Sequence, residues 1–463
     1  MRSILQLLTR NIVTVIGAAI TTVSGLIFTS LFVLDLLGFH RGLYTGIIVF
    51  VVLPALFVLG LILIPVGAWL ERRRAGGAMV EKRLPVIDLN SPRSQGMLII
   101  LVVATTTNLV LLSTATYKAV EVMDSTEFCA ATCHVMKPEA TAYSRSPHSH
   151  VSCAECHVGS GATSFAKAKL SGTRQLFGVM FSRYPRPIPT PVHNLSSAHD
   201  TCEKCHAPTK LIGDRLTVIN HFTDDEKTKP RKTVLMMRVG GTQEGKAQGI
   251  HWHADPGTQI RYKSDSKREK ITEVVLTREG KTKTFKLKSA AATSGEQDWR
   301  SMDCVDCHNR PTHIYRLPAP EVDAALAEGR LNKDLPFIRR EAVNALKGTY
   351  ASTAEARAGL SKAMKDFYAK SFPDVSAARS TQIDSAVHAL QGIYEANVFP
   401  EMRVQWGTYP NFLGHQESPG CLRCHDGEHL TDSGEKISKS CDRCHTTLAT
   451  EEEDPEILQA LYP

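Results

Sequence analysis

Residues 301–313 read Ser-Met-Asp-Cys304-Val-Asp-Cys307-His308-Asn-Arg-Pro-Thr-His313. Two cysteines closed at once by a histidine recur along the chain. The other pairs are Cys129-Ala-Ala-Thr-Cys133-His134, Cys153-Ala-Glu-Cys156-His157, Cys202-Glu-Lys-Cys205-His206, Cys421-Leu-Arg-Cys424-His425 and Cys441-Asp-Arg-Cys444-His445. All 12 cysteines fall into these six pairs. C-x-x-C-H is the attachment signature of c-type haem: the thiols form thioethers and the next histidine sits under the iron. The first pair departs from it by holding three residues between its cysteines.

Two other readings compete. An exported, cysteine-rich domain is often a disulfide scaffold, and paired cysteines also build zinc sites. Neither accounts for a histidine after every pair. Histidine is 18 of 463 residues, so six chance placements have a probability on the order of 10⁻⁹. The expected cofactors are six covalently bound haem c groups.

Six histidines close the motifs, which leaves His40, His148, His150, His193, His199, His221, His251, His253, His313, His388, His415 and His429. That surplus suits bis-histidine irons. His415 and His429 flank the fifth motif. His251 and His253 sit in an unusual His-Trp-His. His388 falls in a helical pattern and reads as a bystander. For each, an ordinary surface or core histidine is the competing reading.

The apolar residues crowd the first 117 positions. Asn11–Leu34, Leu43–Leu70 and Gln95–Tyr117 each exceed the roughly 20 residues needed to cross about 30 Å of hydrocarbon. Pro54 and Pro65 are expected to kink the second. The first is too long for a cleaved signal peptide and a second span follows closely. Arg72, Arg73, Arg74, Lys82, Arg83 and Arg93 lie between the second and third spans, and Arg2 and Arg10 precede the first. Positive residues stay inside, so the N-terminus is expected in the cytoplasm and everything after Lys118 outside. The net charge of +7 comes with no basic, aromatic-interleaved patch, so nucleic acid is not an expected partner.

Residues 231–289 read as strands: Thr233–Val239, Ile271–Thr277 and Thr282–Leu287, the last two joined by a hairpin signal at Arg-Glu-Gly-Lys. Residues 319–397 read as helices over Glu321–Gly329, Ile338–Leu346, Thr353–Tyr368 and Ala377–Ala396. The tail after His445, acidic at Glu451-Glu452-Glu453-Asp454, reads as a solvated end.

Residues 95–317 resemble the NapC/NirT/NrfH family of membrane-anchored, quinol-oxidising cytochromes. The matching residues are Phe128–Met136, Ser146-Pro147-His148, and Cys304–His308 with His313 beyond. The resemblance implies that the first iron is bound by Met136 or His134, with its other face open or weakly occupied near quinol. It implies His148 as distal ligand to the third haem and His313 to the second. A family lysine at the quinol head-group is matched by Lys169, less closely by Lys167. The departures are the wider first motif, a long segment between the third and fourth motifs, two extra membrane helices and two extra haems. This layout resembles extended inner-membrane cytochromes of metal-reducing bacteria.

The expected fold is a membrane-anchored multihaem cytochrome c with three N-terminal transmembrane helices. Outside them lies a mostly α and irregular, haem-packed periplasmic domain with a small β insertion and a helical segment. The expected divisions are a membrane anchor over 1–117, a tetrahaem domain over 118–318 with its insertion at about 207–300, and a helical spacer with a dihaem segment over 319–463. Beyond the haem ligands already given, His199 is a candidate for the remaining irons. The expected function is oxidation of membrane (mena)quinol at the inner membrane, with electrons passing to periplasmic c-type cytochromes or a terminal reductase. The alternatives are a haem-conduit subunit of a larger complex and, third, a terminal reductase. The expected partners are the quinone pool, the lipid bilayer, those periplasmic acceptors, and further copies or subunits of an assembly.

Overall fold

The computed structural model describes residues 11–36, 52–74, 90–159, 162–192, 195, 197–207, 213–243, 246–288 and 298–461. Arg2, Arg10, His40, Lys82, Arg83 and His193 lie outside them, as do the side chains of His134 and His199. The chain forms two compact units. One comprises 1–134 with 152–154; the other comprises 135–151 and 155–463.

The first unit is helical: α1 (Ile12–Leu36), α2 (Leu53–Arg74) and α3 (Pro92–Asp124). Two of these, over Ile12–Leu31 and Leu53–Glu71, are long and apolar enough to cross a membrane. The helix over the third expected span is 33 residues long. α1 and α2 pack through small residues, as membrane helices do when lipid gives no hydrophobic drive to associate. A Cβ at Gly60 would stand 2.7 Å from the Gly17 carbonyl oxygen, and one at Gly67 would stand 2.6 Å from the Thr14 nitrogen. Hydroxyls along α1 bond back to helix carbonyls, Thr21 to Gly17 at 2.9 Å and Thr29 to Gly25 at 2.8 Å. This satisfies them without water. Phe28, Leu53 and Ala115 close the core among the three helices. Apolar side chains such as Leu26, Ile62, Ile99 and Leu109 face outward.

The second unit contains a helical bundle and two sheets. Helices α4 (Lys137–Ser144) and α5 (Ala162–Met180) lead into it. The bundle is α6 (Pro318–Ala327), α7 (Ile338–Leu346), α8 (Thr353–Ser371) and α9 (Ser380–Asn397). Its core holds Leu331, Leu335, Ile338, Leu346, Leu360, Met364, Tyr368 and Leu390, all nearly or fully buried. The expected helix from Ala377 begins instead at Ser380, because a short helix over Pro373–Ala378 precedes it. The buried Asp323 carboxylate ties the bundle to the first strand. It accepts from Phe222 N at 3.1 Å and from Arg339 Nη2 at 3.0 Å.

The strands are β1 (Arg215–Phe222), β2 (Pro230–Met237), β3 (Gly241–Gln243), β4 (Lys246–Gln248), β5 (Thr258–Ser264), β6 (Ile271–Arg278), β7 (Lys281–Leu287), β8 (Arg300–Ser301), β9 (His429–Leu430) and β10 (His445–Glu452). One antiparallel sheet runs β1-β2-β10, another β8-β5-β6-β7-β9, and β3 and β4 form a separate hairpin. The β6–β7 turn places Glu279 at φ 52° and Gly280 at φ 72°. Positive φ at both central residues suits the right-handed twist of a hairpin.

The acidic tail departs from the expected solvated end. From His445 to Glu452 it is a strand, with Thr446 opposite Met236 and Thr447 opposite Leu235. Its acidic side chains remain exposed, so composition alone hid the pairing. Both sheets thus draw a strand from the segment that carries the last two cysteine pairs.

Candidate functional site

Each motif is a tight turn. Cys304–Cys307 is a short helix capped by Asp303, whose side chain accepts from Val305 N at 3.0 Å while Asp303 N donates to Asp306 at 2.8 Å. Cys202–Lys204, Gly420–Arg423 and Cys441–Arg443 are 3₁₀ turns. A three-residue turn eclipses positions i and i+3, so both thiols emerge on one side. The first motif holds one more residue, and its Phe128–Thr132 stretch is a π-turn. The wider turn returns a residue four positions on to the same side. The motif histidine closes the turn, with its N–H donating to the first cysteine carbonyl: His206 to Cys202 and His308 to Cys304 at 2.8 Å, His425 to Cys421 at 3.1 Å.

Every motif histidine whose side chain is described, five in all, faces a second histidine. Ring centres are 6.2 Å apart for His157 and His313, and 5.9 Å for His206 and His148. They are 6.3 Å apart for His308 and His251, 6.0 Å for His425 and His253, and 6.3 Å for His445 and His415. An iron between two imidazoles needs about 2 Å to each nitrogen, and each ring centre lies about 1 Å further back, giving about 6 Å in all. The interplanar angles, from 11° to 85°, are compatible with this, because each ring turns about its own metal–nitrogen bond. The pairs therefore fit an iron between them.

The tautomers fit as well. Nδ1 meets a backbone carbonyl in four of these rings: His313 on Glu139 at 3.1 Å, His251 on Val239 at 3.0 Å, His253 on Ile250 at 2.6 Å and His425 on Ser438 at 2.7 Å. A carbonyl only accepts, so the proton sits on Nδ1 and the Nε2 lone pair is left to bind a metal. Burial pushes the pKa of His157, His253 and His308 down, and that of His313 down to about 4. These rings are held neutral, the form that ligates.

Among the described residues, no disulfide joins any of the cysteines. Within the first unit the sulfurs of Cys129 and Cys153 lie side by side. Within the second unit those of Cys202 and Cys304 do likewise.

Other candidate residues lie elsewhere. His429 is fully buried, but Nδ1 meets Asp426 at 3.0 Å and Nε2 meets the Ile271 carbonyl at 3.2 Å. With both nitrogens occupied it has no lone pair to offer, and the structure does not bring it to a motif histidine. His221 lies 3.2 Å from Asp323, in the node that ties β1 to the bundle. His388 is exposed on α9. Met136 ends a 3₁₀ turn that begins at His134, and Lys169 lies half-buried on α5. The residues give candidates for the last three motifs but no pairing among them. The available signal was His251-Trp-His253: in one 3₁₀ turn it aims two rings at two different motif histidines.

A profile of the NapC/NirT cytochrome c family, N-terminal region, matches residues 91–187. The chain is 40% identical over 420 residues to the cytochrome c-type protein ImcH of Geobacter sulfurreducens, covering 89% of this chain and 82% of that one. The chain belongs to the NapC/NirT cytochrome c family. No solved structure matches it. This NapC/NirT cytochrome is a membrane-anchored electron-transfer protein that binds haem c covalently. Haem c, when bound, supplies a one-electron iron couple tuned by its axial ligands.

Proposed function

We propose that this cytochrome oxidises menaquinol at the outer face of the inner membrane and delivers the electrons to periplasmic redox partners through six haem c groups, one per motif. The observation that carries this reading is the five facing histidine pairs. The second to sixth groups would be held by His157 with His313, His206 with His148, His308 with His251, His425 with His253, and His445 with His415. His429 would be structural. The first group would be held at Cys129, Cys133 and His134, with Met136 as a candidate ligand and Lys169 as a candidate at the quinol head-group. α3 would be a third membrane span, and the N-terminus would lie in the cytoplasm.

The linkages among these sites favour a connected array. Thioether sulfurs sit at the porphyrin edge, so Cys129 beside Cys153 and Cys202 beside Cys304 would place first beside second and third beside fourth. His308 and His313, on one loop, would serve the fourth and second. His251 and His253, on one turn, would serve the fourth and fifth. The fourth motif is then the hub of the array.

The test is reduction of the purified chain by a menaquinol analogue, followed at the haem α-band. Fast reduction supports a self-contained quinol dehydrogenase. A chain reduced by dithionite but untouched by quinol refutes it. That result would favour the conduit-subunit reading, for which the closely paired α1 and α2 supply a partner surface in the membrane.

A further inference from the structure

α5 is amphipathic in the sense opposite to that of a helix in water. Leu170, Leu176, Phe177 and Met180 are 75%, 51%, 53% and 64% exposed, and Phe181, just past the helix end, is 63% exposed. At about 100° per residue, Leu170, Phe177 and Phe181 fall within roughly 20° of one line along the helix. Lys167 and Arg174 flank that line on one side and Lys169 on the other. The inner side is less apolar: Val179 packs against the cluster of Val135, Ala142, Tyr315, Phe399 and Met402, while Ser171 and Gln175 occupy the flank between. An apolar row this exposed marks an interaction surface.

Two features select a lipid surface as its partner. The flanking cations complement phosphate head-groups, and an apolar stripe edged by lysine and arginine is the pattern of a helix lying in a membrane interface. The chain also carries its own membrane-crossing helices, so a bilayer surface is its constant neighbour. We propose that α5 lies in the plane of the outer bilayer surface, with Leu170, Phe177, Met180 and Phe181 among the acyl chains and Lys167 and Arg174 at the head-group phosphates. The two extra helices are then not the whole of the anchor. This placement does not depend on the cytochrome's electron donor.

The test uses the full haem-loaded chain in vesicles of phosphatidylglycerol and phosphatidylethanolamine. Two variants are compared, Phe177→Cys on the apolar line and Gln175→Cys on the exposed flank; the unsubstituted chain, whose 12 cysteines are thioethers, sets the background. A charged, membrane-impermeant maleimide is expected to label position 177 about tenfold more slowly than position 175. A lipid-partitioning maleimide is expected to label 177 at least as fast as 175. Equal labelling by the charged reagent would mean that the face meets water, and would overturn the proposal. Slow labelling of 177 by both reagents would mean that protein covers it, a second copy or a partner, and would overturn it too.

Discussion

Replacing Asp306 by alanine should damage this cytochrome more than its position in the middle of a motif suggests. The Asp306 side chain is 1% exposed and accepts from three donors of different kinds. Tyr262 Oη on β5 donates at 2.7 Å, Arg300 Nε on β8 at 2.8 Å, and the Asp303 backbone N–H, on the other carboxylate oxygen, at 2.8 Å. Arg268 Nη1 stands 3.5 Å away. Arg423 of the fifth motif donates to the Asp306 backbone carbonyl at 2.5 Å, a contact that the substitution leaves in place. Tyr262→Phe removes one hydrogen bond to a carboxylate and should cost about 1.5–3 kcal/mol. Asp306→Ala strands a buried hydroxyl, a backbone N–H and part of a half-buried guanidinium, and should cost about 3–5 kcal/mol. The assay is equilibrium urea unfolding of the haem-loaded protein in detergent, followed by circular dichroism. If Asp306→Ala costs no more than Tyr262→Phe, within about 0.5 kcal/mol, the carboxylate is not the common acceptor of these donors and the reasoning fails.

Other outcomes are expected. Gly60→Leu should separate α1 from α2, because its Cβ would stand 2.7 Å from the Gly17 oxygen; proteolysis in membranes should quicken, while Gly96→Leu, where a Cβ meets nothing within 4 Å, should behave as the parent. His415→Ala should turn the His445 site high-spin and leave the others low-spin, as read by electron paramagnetic resonance; an all-low-spin spectrum would reject that pairing. The Arg357 guanidinium on α8 holds the Glu395 carboxyl on α9 below its ordinary value of 4.5. A depressed carboxylate pKa gives stability that is present above the ordinary value and lost as pH falls through the folded one. Glu395→Gln should therefore reduce the acid-induced fall in melting temperature below about pH 4.5, and an unchanged acid limb would count against the pair.

Much of this was legible because the signals were local. The cysteine–histidine turns, each helix of the α6–α9 bundle and the β6–β7 hairpin are each written in one short run of consecutive residues. The strand at 445–452 was not, because its partner is β2, some two hundred positions away, and its own composition is that of a tail. Histidine identity was equally ambiguous in the sequence. His429 and His415 both flank the fifth motif, and only tertiary placement separates them: one has both nitrogens bonded, the other stands 6.3 Å from His445. The five-stranded sheet recruits β9 from the far end of the chain, a long-range pairing that no periodicity announces.

On the proposed reading one chain holds six haem c groups, five of them between paired histidines. Near-infrared magnetic circular dichroism of the oxidised protein, with a pyridine haemochrome count on the same sample, tests it most directly. About six haems per chain are expected, with five bis-histidine signals and one distinct signal from the Cys129–His134 site. Fewer haems, or a spectrum dominated by histidine–methionine or high-spin iron, would contradict it.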